Sequence, residues 1–166
     1  MTTTHDAIVI GTGQAGPSLA ARLQAAGRRV AVIERHKVGG TCVNVGCTPT
    51  KALVASARAA HMARRAAEFG VLLEGTVSMD MPRVKERMQG IAGGSNQGLT
   101  AWLEGLENVD LIRGHAHFES PNSVRVDDRL LQAEHIFLNV GTRAFVPDLP
   151  GLEEVDYLTN SSMLEL

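Results

Sequence analysis

The sequence predicts an α/β domain, a parallel sheet with flanking helices that is extended by a small antiparallel β-meander. Three observations carry this. Ala7–Ile10 and the run Val30, Ala31, Val32, Ile33 are short and unbroken apolar segments, the pattern of strands buried on both faces of a parallel sheet. Between them, residues 14–26 are rich in Ala and Leu and close on Gly27, so strand, helix and strand form one right-handed βαβ unit. Beyond Val109 the apolar period becomes strand-like, with turn chemistry between the segments.

The remaining elements follow in order. Residues 38–47, with glycines and both cysteines, read as a loop. Thr48-Pro49 starts a long Ala-rich helix to about Phe69, with Pro in its first turn and Gly70 past its end. A further helix begins near Asp80-Met81-Pro82. Gly93-Gly94-Ser95-Asn96 is expected to break or kink it before it resumes through Trp102, itself expected in the core. Strands are expected at 109–112, 116–118, 124–126 and 136–140, separated by Ser120-Pro121-Asn122-Ser123 and Asp127-Asp128. The acidic tail, residues 148–166, has no assigned core role.

With 166 residues the chain is one domain by the prior of roughly 150 residues each. Apolar residues make up 44% and charged residues 20%, which is a folded composition rather than a disordered one. Sixteen basic against 18 acidic residues leave −2, so there is no electrostatic case for a nucleic acid or an anionic membrane as partner. The apolar runs fall short of the ~20 residues a membrane helix needs. No basic region precedes an apolar stretch at Thr2-Thr3-Thr4-His5-Asp6, so no secretory signal is read and the cytoplasm is the expected location.

Gly11-Thr12-Gly13-Gln14-Ala15-Gly16 fits G-x-G-x-x-G, a weak signal alone in a chain with 17 glycines. Context strengthens it: the motif follows a buried strand, opens a helix and precedes a second strand ending in an acid. Gly11 permits the tight turn, Gly13 lets the backbone approach a pyrophosphate, and Gly16 lets helix and strand pack closely. The helix N-terminus then offers N–H groups and partial positive charge to phosphate. Glu34, 23 residues after Gly11, suits a ribose diol and repels a 2′-phosphate. The alternative is a glycine-rich corner with a solvated Glu34. The motif leaves FAD and NAD equally open.

Cys42 and Cys47 are the two cysteines of the sequence. Near a βαβ unit they suggest redox chemistry, with two free thiols or a plain structural bridge as alternatives. A zinc site wants about four ligands, so no metal is expected. Residues five apart on a regular helix lie about 140° around its axis, so a bond between the pair requires a bend, for which Gly46 is placed. Cys47 precedes the Pro-marked helix start, where the dipole favours a thiolate, and Lys51 lies one turn on.

The segment Gly39-Gly40-Thr41-Cys42-Val43-Asn44-Val45-Gly46-Cys47-Thr48-Pro49-Thr50-Lys51 resembles the active-site signature of the class I pyridine nucleotide-disulfide oxidoreductases. That family includes dihydrolipoyl dehydrogenase, glutathione reductase and mercuric reductase. The resemblance extends through Gly114-His115-Ala116 and Val140-Gly141-Thr142-Arg143 to Pro150-Gly151. It implies a Rossmann-like FAD-binding domain over residues 1–150, with 151–166 starting a linker toward an NAD(P)-binding domain. By the same resemblance the FAD pyrophosphate lies over Gly11, Gly13, Gln14, Ala15 and Gly16, and Glu34 and Arg35 lie by the adenosine ribose. Further cofactor contacts are implied at Gly40, Thr41, Gly46, His115, Ala116, Val140, Gly141 and Thr142. Cys47 is implied as the flavin-side thiol, Cys42 as the thiol that meets substrate, and Lys51 as a flavin neighbour. Electrons would pass from NAD(P)H through FAD to a Cys42–Cys47 disulfide and on to a thiol, disulfide or soft metal ion.

Thr48-Pro49-Thr50 departs from the Ile/Val-Pro-Ser of dihydrolipoyl dehydrogenases and mercuric reductases, and the Ala-rich stretch after it looks mercuric-reductase-like. Leu166 falls roughly where the family's NAD(P)-binding domain would begin, and a homodimer is implied for the full-length enzyme. Dihydrolipoyl dehydrogenase or glutathione reductase activity, a non-catalytic FAD module, and an NAD-binding domain with incidental cysteines are the competing readings. His115 and His117 read as a solvated strand face, as do His61, Arg58, Arg64 and Arg65 on the long helix.

Overall fold

The computed structural model describes residues 2–166. In chain order its strands and helices are β1 (Thr2–Thr4), β2 (Ala7–Ile10), α1 (Gly16–Ala25), β3 (Val30–Glu34), α2 (Gly40–Val45), α3 (Cys47–Arg64) and α4 (Met81–Glu104). Then come β4 (Val109–Arg113), β5 (Ala116–Ser120), β6 (Ser123–Val126), β7 (Arg129–Gln132) and β8 (His135–Leu138). One sheet runs β4-β3-β2-β8, all parallel, and the second runs β1-β7-β6-β5.

The two faces of the parallel sheet explain why its strands are apolar throughout. Ala7, Val9, Val30 and Val32 face α1 through Ala20, Leu19 and Leu23. Their alternates Ile8, Ala31 and Ile33 face the meander through Val124, Val126 and Leu131. Period-two side chains therefore meet an apolar partner on either side, and no polar alternation survives. The meander is antiparallel across β5-β6-β7, as expected, and gains β1 in parallel register with β7, Thr2 opposite Leu130. Neither β1 nor β7 was expected. Each is short and lacks apolar–polar alternation: β1 is three threonines, β-branched but uniform, held by pairing with β7 across 128 residues, and β7 pairs in addition with β6 across Asp127-Asp128.

His5 joins the two sheets. Its side chain is buried, Nε2 lies 2.7 Å from Asp110 on β4, and Nδ1 has no partner among the described residues. Burial alone would push the Asp110 carboxyl up. Hydrogen bonds from His5 and Arg29 outweigh it and hold the group below its ordinary value.

Four helical expectations need correction. Residues 40–45, read as loop, form α2. The long Ala-rich helix ends at Arg64, and a 3₁₀ turn over Ala66–Phe69 leads to Gly70. α4 runs unbroken through Gly93-Gly94, because Asp80 caps it by accepting the Arg83 N–H and because Met88, Ala92 and Leu103 are buried along it. Tertiary packing overrides the roughly 1 kcal/mol that each interior glycine costs. Trp102 is 44% exposed on that helix, while the buried position beside it belongs to Leu103. In the tail, Leu164 is buried.

A Cβ added at Gly94 meets nothing within 4 Å and its backbone is helical. Gly94→Ala should therefore stabilise the chain by about 0.5–1 kcal/mol. Urea unfolding checks this, and a lowered midpoint would mean that the glycine is required where it stands.

Candidate dinucleotide and redox site

Because the four central strands are parallel, their C-terminal ends emerge at one edge. From that edge leave the glycine turn after Ile10, the acid Glu34, the segment beginning at Gly114 and the segment beginning at Asn139. β2 has β3 on one side and β8 on the other, so the glycine turn stands where the strand order reverses. That is where open α/β sheets bind ligands.

The turn is built by close approach. Gly11 has φ +102°, donates its N–H to the Ile33 carbonyl at 2.8 Å, and passes so near Asn139 that an added Cβ would collide with that residue's carbonyl oxygen. Gly16 opens α1 with its Cα against the Gly11 carbonyl, leaving no room for a side chain. Ala15, at the N-cap, gives the helix no side-chain acceptor, and its first turn holds no acid. Such an end leaves its N–H groups to a ligand anion, so these residues fit a dinucleotide pyrophosphate. Gly13 borders the redox segment directly, since a Cβ on Gly40 would lie 2.9 Å from the Gly13 Cα.

Glu34, 9% exposed, anchors the turn. Its Oε2 accepts from the Thr12 N–H at 3.0 Å and from the Thr12 hydroxyl, and its Oε1 accepts from the His36 N–H at 2.8 Å. Burial raises its pKa, but these bonds and the nearby His36 outweigh burial and hold it below the ordinary glutamate value. A carboxylate offers about four acceptor sites, so three internal bonds leave room for about one more from a ribose. The chain beyond β4 is drawn in by the Gly114 N–H, which donates to the Glu34 carbonyl at 3.0 Å. This brings His115 and Ala116 to the same edge.

The cysteines bond to each other across Gly46, with Cα atoms 4.7 Å apart. The chain bends there as the spacing required, but it does so between two helices: α2 ends at Val45 and Cys47 is the first residue of α3. A Cβ on Gly46 would come within 2.8 Å of the Thr41 carbonyl oxygen. Cys42 is half-buried and Cys47 exposed. Lys51 stands one turn along α3 from Cys47, exposed, as are Gln14, Ala15, Arg35, Thr41, Val140, Gly141 and Thr142. Val140 and Gly141 continue from Asn139 beside Gly11. His115 and His117 are both exposed with ring centroids 4.5 Å apart. His61, Arg64 and Arg65 are exposed too, with Arg65 paired to Glu68.

Four polar residues that hold the site together were not singled out from the sequence. Thr12 joins Glu34 to the redox segment, since its carbonyl and hydroxyl accept the Gly39 N–H at 3.1 and 3.2 Å. Asn139 donates its side-chain amide to the Gly11 carbonyl at 3.3 Å. Asn44 and Asn96 bond to one another beside Val38. The one sequence signal among them is Asn96, a poor helix former inside α4.

A family model described as pyridine nucleotide-disulphide oxidoreductase matches residues 5–165. A mercuric reductase of Bacillus cereus is 35% identical over 162 residues, 98% of this chain and 26% of that protein. A dihydrolipoyl dehydrogenase of Acholeplasma laidlawii is 31% identical over 154 residues, 93% of this chain and 46% of that protein. The Cu(II) complex of the HOCl-induced flavoprotein disulfide reductase RclA from Escherichia coli has TM-score 0.79 and 31% identity, covering 99% of this chain and 35% of that one. The chain thus spans between about a quarter and a half of the length of these relatives.

The lowered Glu34 carboxyl has a consequence for stability. Its contribution is complete above the ordinary glutamate value and is lost as pH falls through the lower folded value. Glu34→Gln should cost about 1–3 kcal/mol at pH 7, because its NH2 would oppose a donor at Thr12 or His36. The gap from wild type should narrow as the pH drops into the acid range. Denaturant midpoints across pH 3–8 test this, and a gap that holds constant would show that ionisation is not what matters.

Proposed function

Since the chain belongs to the pyridine nucleotide-disulphide oxidoreductases, we propose that it is the FAD-binding and redox-disulfide part of a mercuric reductase-like NAD(P)H:disulfide oxidoreductase. Residues 1–150 would form the FAD domain and 151–166 the start of the linker. The full-length protein would be a cytoplasmic homodimer acting on a small disulfide, a thiol or a soft metal ion. The observation that carries this reading is the contact of Gly40 with Gly13, which sets the cysteine-bearing helix against the phosphate-binding turn.

FAD bound at this edge would supply two-electron transfer between a nicotinamide and the cysteine pair. The residues of the chain have separable tasks. The backbone at Gly13, Gln14 and Ala15 with the α1 N-terminus would hold the pyrophosphate, and Glu34 would take one ribose hydroxyl on its remaining acceptor site. Lys51, one turn from Cys47 on α3, would keep positive charge near the developing thiolate and favour its anionic form. Cys42, freed when the bond opens, would attack a substrate disulfide or ligate a soft ion with Cys47. A copper complex of the RclA flavoprotein supports the metal-ion arm of the substrate class.

The chain should bind FAD in equilibrium dialysis, read by flavin absorbance. Gly13→Val should weaken binding by roughly ten- to a hundredfold, the worth of one or two hydrogen bonds to a charged group. Retention of NAD with no uptake of FAD would overturn the proposal in favour of a simple nicotinamide-binding domain.

A further inference from the structure

We propose that Asn96, reaching across from α4, is a positioning residue for the Cys42–Cys47 couple. With Asn44 it forms a carboxamide clamp that keeps the two sulfurs in register when the bond between them is open. This rests on the reading of the pair as a redox disulfide.

The need for a clamp follows from the shortness of α2. A helix of six residues is not stable by itself, and this one is bounded by a left-handed Gly39 and by the bend at Gly46. With the disulfide closed, α2 is tied covalently to the start of α3. With it open, the position of Cys42 depends on noncovalent contacts. At its N-terminal end these are the Gly39 bonds to Thr12. Along its side they are the buried Val43 and the bonds of the two asparagines, of which only the bonds are directional.

Those bonds have one consistent polarity. The Asn44 Nδ2 donates to the Val38 and Gly40 carbonyls, each at 2.9 Å. Two carbonyl oxygens can be met only by the NH2 group, so the Asn44 Oδ1 must point the other way and needs a donor. Asn96 is that donor. Its Nδ2 lies 3.2 Å from the Asn44 Oδ1 and 2.6 Å from the Val38 carbonyl. A carboxylate of the same shape at position 96 would present acceptors to acceptors, and an aliphatic side chain would leave Asn44 and Val38 short of a partner. Asn96 is half-buried and a poor helix former, and its bonds to Asn44 and Val38 account for its place in α4.

The clamp acts on the dithiol. Holding Cys42 near Cys47 limits the freedom gained when the bond opens, so it favours the closed form, by the same reasoning that makes a tether raise effective concentration. Loosening it should make the disulfide easier to reduce. The reaction that reads this is exchange with dithiothreitol. The protein S–S bond breaks, a cyclic S–S bond forms in the reagent, and two electrons with two protons pass to Cys42 and Cys47.

The test equilibrates the chain, without flavin, in mixtures of reduced and oxidised dithiothreitol at pH 7. Alkylation and mass measurement then give the fraction of dithiol. Asn96→Leu and Asn96→Asp should each shift the midpoint ratio toward the dithiol by roughly three- to tenfold, the worth of about one hydrogen bond. Asn44→Ala should do the same, and Asn44→Ala with Asn96→Leu should shift it no further than the larger single change, since both break one network. If Asn96→Leu fails to give a cooperative melt, Asn96→Asp, which preserves volume, decides the matter. A wild-type pair that cycles together with variants within twofold of it would overturn the clamp alone. A wild-type pair that does not cycle would overturn the redox reading and this proposal with it, whatever the result of FAD binding.

Discussion

The bond between Glu34 and Thr12 is the constraint on which the rest of the site depends. It joins the last residue of β3 to the turn after β2, inside the protein, where an ionised carboxylate is tolerated only because three donors surround it. Thr12 in turn accepts the Gly39 N–H, so the same carboxylate indirectly sets where α2 begins. It links the glycine turn to the cysteine helix, a junction to which the Thr12 carbonyl adds by accepting the Gly39 N–H as well. With it they form one surface, with Gly13 and Gly40 in contact.

The parallel sheet supplies the other half of the geometry. Strands that all run one way deliver their C-terminal loops to one edge, so residues separated by more than a hundred positions are brought together, where contacts such as the Asn139 amide on the Gly11 carbonyl fasten them. The price of such a sheet is that both faces must be covered, by α1 on one side and the meander on the other. That requirement is why β2 and β3 are written as unbroken apolar runs and why they could be read directly.

Legibility followed the range of the forces involved. The glycine turn, Glu34 and the bend at Gly46 are local constraints and could be seen in the sequence. β1 depends on a partner far away in the chain, and the short runs of β1 and β7 carry no period, although β7 pairs with β6 directly across Asp127-Asp128. α4 crosses two adjacent glycines because an Asp80 cap and buried Met88 and Leu103 outweigh propensity, and the exposure of Trp102 depends on which face of that helix is covered. Thr12, Asn139, Asn44 and Asn96 escaped notice for a different reason. Thr12, Asn139 and Asn96 act by side-chain hydrogen bonds to residues distant in the chain, such as Gly11 for Asn139 and Val38 for Asn96, and Asn44 receives one from Asn96; composition holds no trace of such pairs.

Hydrogen exchange in the Thr12→Val protein bears most directly on the role of the Glu34–Thr12 bond. The substitution keeps the shape of the side chain and removes the hydroxyl that bonds Glu34 and accepts from Gly39. Amides of residues 39–46 should exchange at least about tenfold faster than in wild type, with β2 and β3 still protected. Unchanged protection over 39–46 would contradict the claim that this bond seats the cysteine helix against the glycine turn.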